Sequence, residues 1–348
     1  MLSPVRYSAL RNAALKLVGV RRTSAEAASR SELIQAEEEE PNATLYCLDG
    51  QLERAAEHST LADELGWARR KRVVHAPVIR YVLRDCLVHA HGVEFFGGSV
   101  RTSGQGFRQR IPQGPIVDVP RATYCMSQVS RQFFGHWLQD ACATALLANP
   151  DEALLLDIRP DWPHTAEYAE VFSLQAHASE NLFVRELSLF QDFSQGSSKR
   201  QRYAELRSRA ARHFHLDPSP HRPVYLRRGA TGAARPIVND DEVVRRLEDE
   251  GFLALTVDGM SVAALYKVLS CAPLVVSMDG SQQNHLYFSM PPGSSLLSFI
   301  PGDRFTATNF GYATAAGIHF GMLVVDKVEG GYVVDVANMM RTLDLFPR

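Results

Sequence analysis

The chain has 348 residues, of which 45% are apolar and 22% charged, and its formal net charge is −2. This length predicts two globular domains, at roughly 100–200 residues each, and the near-neutral charge argues against nucleic-acid binding. The five cysteines are far apart and form no C-x-x-C pair, which argues against a disulfide framework and against a zinc site. We therefore expect buried, reduced thiols in a cytosolic protein.

The N-terminal 22 residues interleave basic and apolar side chains, which predicts an amphipathic basic helix. The basic members are Arg6, Arg11, Lys16, Arg21 and Arg22. Three interpretations remain open: a peripheral contact with an anionic membrane surface, packing on the chain's own domain, or a transit peptide. The polar segment 26–43, with its four consecutive glutamates, predicts a solvated linker. Residues 1–40 are accordingly predicted to be an arm and linker.

Residues 41–195 predict a first α/β domain. Alternating apolar positions and glycines over 72–90 and 92–102 indicate β-hairpins. A strand at 122–128 precedes a helix at 134–149, and strand, helix and strand follow at 153–158, 165–174 and 182–187. The Gln/Ser/Gly-rich stretch 191–201 predicts the domain boundary, near residue 195.

Residues 196–348 predict a second α/β domain with regular alternation. After a basic helix at 202–214, strands at 223–228, 252–257, 274–277, 294–300 and 318–326 alternate with helices, and a final helix covers 336–346. This order indicates a parallel sheet covered on both faces. Asn239 is the predicted N-cap of the helix that starts with Asp-Asp-Glu, and Gly251 is its predicted end.

The strand-to-helix turn at Asp279-Gly280 is the first candidate ligand site. Ligands of α/β proteins bind at the carboxyl ends of strands, and the free N–H groups of a helix start attract anions. Gly280 lets a phosphate approach the backbone, and polar neighbours can hydrogen-bond a sugar or ribose: Asp279, Ser281, Gln282 and Asn284. A simple capped turn is the competing interpretation.

Three arginines form the second candidate. Arg227 and Arg228 leave a predicted strand, and Arg235 follows a Gly/Ala-rich loop. Arginine binds phosphate bidentately and keeps its charge, so the group suits a diphosphate. The competing interpretation is surface arginines that pair with the acidic helix start behind them. G-x-G-x-x-G after a strand and Walker A motifs are both absent, which disfavours NAD(P) and P-loop chemistry.

His136 and Asp140 form the third candidate, in the predicted helix at 134–149. Residues four apart share one helix face. An imidazole titrates near neutral pH and suits a general base, which the carboxylate can orient, or Asp140 itself can act as the base. A structural His–Asp pair is the competing interpretation. H-E-x-x-H is absent, so this pair alone predicts no metal site.

Together these segments resemble glycosyltransferase family 61, including its bacterial branch labelled capsular polysaccharide biosynthesis proteins. The similarity runs in order through "FGHWLQD", "YLRRG…RPIVNDDEVVRRLEDEGF" and "LYKVLSCAPLVVSMDGSQQNHLYFSMPPGSSLLSFIP", from about Thr123 to about Val325. The resemblance implies a GT-B fold of two Rossmann-like lobes facing a cleft. It also implies an inverting, metal-independent glycosyltransferase that needs no cofactor beyond its nucleotide-sugar co-substrate.

The resemblance also implies roles for the candidate residues. The N-terminal lobe, residues 41–195, would bind the acceptor, and the C-terminal lobe would bind the donor. Its diphosphate would contact Arg227, Arg228, Arg235 and the amides after Gly280, and Asn239 would be a further donor-binding residue. Asp258 to Ser261 would lie near the base and ribose. His136, backed by Asp140, would face a glycan or lipid-linked acceptor in surface polysaccharide biosynthesis, at the cytoplasmic face of the membrane.

One position departs from the family pattern. The family often reads His-Gly-Ala-Gly-Leu-Thr-Asn where this chain has Asp279-Gly-Ser-Gln-Gln-Asn-His285. A carboxylate beside a phosphate site is repulsive, so Asp279 would contact sugar hydroxyls or act as the base. The departure also favours an alternative, a non-catalytic nucleotide-sugar-binding or scaffold protein of an assembly complex. An α/β hydrolase ranks last because G-x-S-x-G is absent.

Overall fold

The structure, a computed structural model, describes residues 4–104, 107–215, 222–229 and 234–347. Its strands are β1 Arg30–Gln35, β2 Glu38–Pro41, β3 Leu45–Tyr46, β4 Arg72–His75, β5 Val78–His89, β6 Gly92–Phe95, β7 Gly98–Arg101, β8 Val117–Tyr124, β9 Ala153–Leu155, β10 Ala176–His177, β11 Leu182–Gln191, β12 Val224–Arg227, β13 Leu253–Thr256, β14 Leu274–Met278, β15 Ser295–Pro301, β16 His319–Val328 and β17 Gly331–Val333.

The α-helices alternate with these strands along most of the chain. They are α1 Ser8–Leu17, α2 Ser24–Ala27, α3 Leu61–Arg69, α4 Gln128–Gln132, α5 Phe134–His136, α6 Cys142–Ala145, α7 Thr165–Val171, α8 Ser197–Phe214, α9 Asp240–Asp249, α10 Val262–Leu269, α11 Asn284–Ser289, α12 Thr308–Ala315 and α13 Val336–Leu343. The mixture of helices and sheets is the α/β class expected from the sequence.

The chain divides into two compact units. The first comprises Met1–Glu38 and His75–Ser198, and the second comprises Glu39–Val74 and Lys199–Arg348. The change at Ser198 lies close to the boundary expected near residue 195. Residues 39–74, however, pack with the C-terminal unit, where β3 pairs with β16. The sequence places them in the domain 41–195, because a return of the chain to a distant sheet leaves no local pattern.

The first unit contains one mixed sheet, in the order β10-β9-β8-β11-β5-β6-β7, with β1 also paired to β5. Strands β8, β9, β10 and β11 are parallel, as the predicted βαβ order requires, whereas β5 is antiparallel to β11 and continues into the antiparallel hairpins β5–β6 and β6–β7. Hairpins are therefore present from β5 to β7, whereas β4 at the start of the predicted stretch pairs with β2 instead. The sheet differs from a purely parallel Rossmann-like sheet at this end.

The N-terminal segment is part of the first unit. Ala9 of α1 is 1% exposed, and the Nδ2 atom of Asn12 donates to Glu94 Oε2 at 2.8 Å. Packing on the chain's own domain, one of the three interpretations, thus accounts for one face of this helix. The prediction of a solvated linker at 26–43 is wrong, because β1 forms an antiparallel ladder with β5 over Arg30–Gln35. Backbone pairing at a sheet edge does not depend on side-chain polarity.

The second unit is built on a parallel sheet in the order β13-β12-β14-β15-β16, extended by antiparallel β17. Helices α9 to α12 connect its successive strands, as the sequence alternation predicts. Val243 and Leu247, four apart on α9, are fully buried against the sheet. Gly251 adopts φ +85° directly after α9, where an L-residue would be strained, and so ends the helix as expected.

In the described residues, no helix combines the length and hydropathy that crossing a membrane requires.

Candidate functional site

The candidate donor site lies at the carboxyl edge of the parallel sheet in the second unit. Strands β12, β14 and β15 are adjacent and parallel, with Leu226 opposite Ser277 and Ser277 opposite Ser298. Their carboxyl ends therefore meet at the same edge. The segments that leave them begin with Arg228, Asp279 and Gly302.

Two of the three predicted arginines converge on the turn after β14. Arg228 Nη1 donates to the carbonyl oxygen of Asp279 at 3.2 Å and to Gln282 Oε1 at 2.9 Å. Arg235 Nη1 donates to the same carbonyl oxygen and to Asp279 Oδ2, the latter at 2.5 Å. The turn thus gathers two guanidinium groups around one peptide, and guanidinium groups bind phosphate through bidentate, charge-assisted hydrogen bonds.

Gly280 makes this approach possible. Its φ is +153°, and a Cβ atom at this position would lie 1.8 Å from Arg228 Nη1. The residue therefore has to be glycine for the guanidinium to reach the backbone. The group that comes close to Gly280 is thus a side chain of the same unit, and the approach of a phosphate to this backbone stays a prediction.

Asp279 occupies a different environment from the one expected for a base or a sugar contact. Its side chain is 7% exposed, and one carboxylate oxygen accepts from Arg235 while the other accepts from Asn309 Nδ2 at 2.7 Å. Both oxygens are therefore engaged inside the protein. The arginine also offsets the repulsion that a lone carboxylate would exert on an anion.

Positive charge nevertheless prevails around Arg228. Burial lowers the pKa of Arg228, and the charges of Arg235 and Arg304 lower it further, whereas Asp279 raises it. The charges of two other guanidinium groups thus act on Arg228, and one carboxylate is among the groups that influence its pKa most. Arg304 lies in the short turn Gly302–Arg304 after β15 and is exposed. It was not predicted from the sequence, although it follows a parallel strand like the other candidates.

Arg227 does not join this group. Its Nε donates to Asp240 Oδ2 at 2.8 Å, and its Nη2 lies 2.5 Å from the same oxygen. Asp240 begins α9 and also accepts from the hydroxyl of Tyr225 at 2.6 Å. The competing interpretation, pairing with the acidic helix start, therefore describes Arg227, and its expected place at the Gly280 turn is wrong.

Asn239 and Ser261 have structural contacts. Asn239 precedes α9, but its side chain makes no capping bond; it donates to Glu242 Oε2 and to the carbonyl of Val334 and accepts from Val334 N. Ser261 is the N-cap of α10, with Oγ accepting from Ala264 N at 3.2 Å. Asp258 lies against Gly229, because a Cβ atom at Gly229 would fall 2.0 Å from its Oδ1.

The polar residues after Gly280 mainly shape the turn. Gln282 bridges Arg228 and the carbonyl of Met278, which holds the guanidinium in place. Asn284 is 5% exposed and donates to the carbonyl oxygen of Ser281 at 2.9 Å. Gln283, not predicted from the sequence, is fully buried and donates to Ser298 Oγ at 2.7 Å, so it fixes the turn to β15.

The candidate base lies in the first unit, on the helical segment that follows β8. His136 Nδ1 and Asp140 Oδ2 are 2.8 Å apart, and the two side chains are 28% and 24% exposed. A π-helical turn, Trp137–Ala141, follows His136, and such turns are frequent at functional sites. When Nδ1–H donates to Asp140, the lone pair is on Nε2, where it can accept a proton. The predicted pair therefore forms.

A second ion pair lies beside this segment. Arg131 at the end of α4 pairs with Asp157, and its Nη2 donates to Ser179 Oγ at 2.9 Å. The indole Nε1 of Trp137 donates to the carbonyl of Asp157 at 2.8 Å. This network, missed in the sequence because its members are far apart, anchors the helix that carries His136.

In the described residues, no group of three or more His, Cys, Asp or Glu side chains is arranged to hold a metal ion.

Comparison with known proteins supports the resemblance stated above. Residues 134–297, slightly under half of the chain, match the family model Glycosyltransferase 61. The match begins two residues before His136 and includes Arg228, Arg235 and the turn at Gly280, whereas Arg304 lies beyond it. It supports glycosyltransferase family 61 and, with it, a sugar-transfer function. A search of the curated proteins found no match.

Proposed function

We propose that the protein is an inverting glycosyltransferase that uses a nucleotide-sugar donor and a polysaccharide or glycolipid acceptor in surface polysaccharide biosynthesis. The observation that carries the proposal is the convergence of Arg228 and Arg235 on the turn at Gly280, with Arg304 near enough to affect Arg228. The family match supports the sugar-transfer class, and the arginines supply the chemistry for a diphosphate leaving group.

The donor side follows from charge. Loss of a nucleoside diphosphate from the sugar places negative charge on the β-phosphate, and fixed guanidinium groups stabilise that charge in the transition state. Arg228 is held by Gln282 and the Asp279 carbonyl, so little reorganisation is needed when the charge develops. In this proposal the fixed arginines balance the charge of the leaving group.

The acceptor side requires a base. Direct inversion needs one group that removes the proton of the attacking hydroxyl. We assign this role to Nε2 of His136, with Asp140 holding the tautomer and stabilising the imidazolium that forms. Asp279 is a poor candidate for the base because Arg235 and Asn309 engage both of its carboxylate oxygens.

The alternative is a nucleotide-sugar-binding scaffold without turnover. The Arg235–Asp279 pair favours this alternative, because the carboxylate neutralises one of the arginines that would stabilise the leaving group. Binding is expected in both cases. The two proposals differ only in whether a bound donor reacts.

The test combines a thermal-shift screen with a turnover assay, both using a panel of UDP-, GDP- and CMP-sugars. A ligand at 100 times its dissociation constant adds about 2.7 kcal/mol to stability, which such a screen detects readily. We expect stabilisation by one nucleotide series and release of the free nucleotide from that donor. Stabilisation without release, even with polysaccharide extracts as acceptor, would support the scaffold. No stabilisation by any nucleotide would contradict both.

A further inference from the structure

The first unit contains a cavity of about 690 Å³ that the proposed transfer reaction does not use. Its walls are α1, the segment between α1 and α2, and the β6–β7 hairpin. The residues that line it are Ala9, Asn12, Ala13, Lys16, Arg21, Arg22, Thr23, Glu26, Gly97, Gly98, Ser99, Arg101, Gly104 and Arg110. The volume lies within the roughly 300–1,000 Å³ of small-molecule sites.

The lining is strongly basic. Arg110 is paired with the buried carboxylate of Glu94 and so is neutralised. The remaining cations are Lys16, Arg21, Arg22 and Arg101, all exposed, and Glu26 is the acidic residue among the lining residues. Within the described part of the chain, none of these four cations has a carboxylate within ion-pair distance. The cavity therefore suits an anion that carries more than one negative charge.

Buried hydrogen bonds hold the two walls together. Asn12 of α1 donates to Glu94 Oε2 on β6 and to the carbonyl of Gly98, both at 2.8 Å, and accepts from Gly97 N at 3.2 Å. A Cβ atom at Gly98 would lie 2.2 Å from the carbonyl oxygen of Arg22, so the hairpin and the segment after α1 are in close contact. The walls are thus fixed by the fold before any ligand arrives.

An apolar stripe lies on α1 beside the cavity. Leu10 and Leu17 are seven residues apart, which places them on one side of the helix, with Ala13, a lining residue, between them. Leu10 is 45% exposed and Leu17 is 89% exposed, and Val18 at the end of the helix is 74% exposed. A leucine stripe open to solvent next to a basic cavity is the arrangement of a helix that rests on an anionic membrane.

We propose that this cavity binds the phosphate group of an anionic lipid while Leu10 and Leu17 insert into the membrane surface beside it. Charge complementarity identifies the headgroup, and the exposed leucines identify the lipid rather than a dissolved phosphate as its source. The proposal rests on the first unit alone, so it stands or falls independently of sugar transfer. It assigns to α1 a bilayer contact on the face of the helix that does not pack on the unit.

The test is co-sedimentation of the full chain with phosphatidylcholine vesicles that contain or lack phosphatidic acid. We expect binding only to the vesicles with phosphatidic acid, and weaker binding at high salt. The double variant R21E/R101E should reduce the partition coefficient by roughly tenfold or more, since each basic side chain near an anionic surface contributes appreciably. L17S should weaken binding to the same vesicles.

The controls change the same charge or apolar area elsewhere on the first unit. R30E/R84E alters two exposed arginines on β1 and β5, and L33S alters an exposed leucine on β1. Both should bind like the wild type. If R30E/R84E lost as much vesicle binding as R21E/R101E, the loss would depend on net charge alone, and the proposal would be overturned. The proposal would also be overturned if calorimetry showed that the wild-type chain binds glycerol 3-phosphate but does not sediment with vesicles.

Discussion

Arg235 and Asp279 form an almost buried ion pair, with Nη1 and Oδ2 2.5 Å apart and side chains 12% and 7% exposed. The pair joins the loop after β12 to the turn after β14. In the described residues, Nε of Arg235 is buried without a hydrogen-bond partner. The carboxylate of Asp279 therefore provides most of the stabilisation of the buried Arg235 charge. The residue that departs from the family pattern is thus the one that holds Arg235 at the turn.

Replacing Asp279 with Asn should destabilise the second unit. The variant leaves the Arg235 charge buried without its carboxylate, and breaking one side of a buried pair costs about 3–5 kcal/mol. Urea unfolding measures this loss. E250A, which removes the exposed i,i+4 partner of Arg246, is the control and should cost less than about 1 kcal/mol. Similar losses in the two variants would contradict the structural role of Asp279.

Arg228 and Arg227 should differ sharply in donor binding although they are neighbours. R228A removes the guanidinium held at the Gly280 turn and should weaken nucleotide binding roughly 10- to 100-fold, the value of a charge-assisted hydrogen bond. R227A removes a partner of Asp240 and should leave affinity unchanged. Calorimetric titration with the nucleotide found in the screen measures both. If R228A bound the nucleotide with unchanged affinity, Arg228 would not be a donor-binding residue.

Gly280 should tolerate no side chain. In G280A the Cβ atom would meet Arg228 Nη1, so we expect a loss of affinity like that of R228A, together with a stability loss above about 1 kcal/mol. Gly293 is the matched control, with φ +86° and no atom within 4 Å of an added Cβ. G293A should therefore lose stability without losing affinity. Normal binding in G280A would show that Arg228 has another position available.

The sequence predicts the second sheet well because its strands are apolar and its helices are amphipathic and capped. It places Arg228 and Gly280 together correctly, since parallel neighbouring strands end at one edge. The sequence-based prediction fails for Arg227 because consecutive residues at a strand end point in opposite directions. Arg227 therefore pairs with Asp240 at the start of α9, while Arg228 lies at the Gly280 turn. The amino-acid sequence alone does not show which of two adjacent arginines points toward the turn.

Other parts of the fold and site depend on contacts between residues far apart in the chain. The sequence of β1 is typical of a polar linker, and only Gln35 of its six residues is buried. The segment is nevertheless a strand, because its backbone pairs with the edge of β5. Asn309 lies thirty residues after Asp279 in the chain, and its hydrogen bond to the Asp279 carboxylate is evident only from the structure, in which α12 lies against the turn. Arg304 could have been found by applying the strand-end rule to β15 as well.

His136 should be required for transfer and dispensable for donor binding. H136A removes the proposed base and should lower kcat by roughly 10²- to 10⁴-fold. D140N keeps an acceptor for Nδ1–H but removes the charge that stabilises the imidazolium, so its loss should be smaller. Steady-state kinetics and nucleotide titration of both variants separate the two effects. A loss of nucleotide affinity in H136A would contradict the acceptor-side assignment.

The stability of the first unit should depend on pH through Glu94, which is 1% exposed beneath the basic cavity. Burial raises its pKa, but hydrogen bonds from His89, Arg110 and Asn12 outweigh burial and lower the pKa below its ordinary value of 4.5. As the pH falls, the unfolded chain therefore takes up this proton before the folded chain does, so the stabilisation is present above about pH 4.5 and is lost below it.

This dependence is tested by denaturant unfolding of the wild type and E94Q across the acidic range. The free energy of unfolding of the wild type should fall more steeply below about pH 4.5 than that of E94Q, which is less stable throughout because Arg110 loses its partner. E37Q, a change at an exposed carboxylate of the same unit, should follow the wild type. If the curves of wild type and E94Q ran parallel, the Glu94 carboxylate would bind its proton equally well in both states, and the electrostatic account of the cavity wall would be wrong.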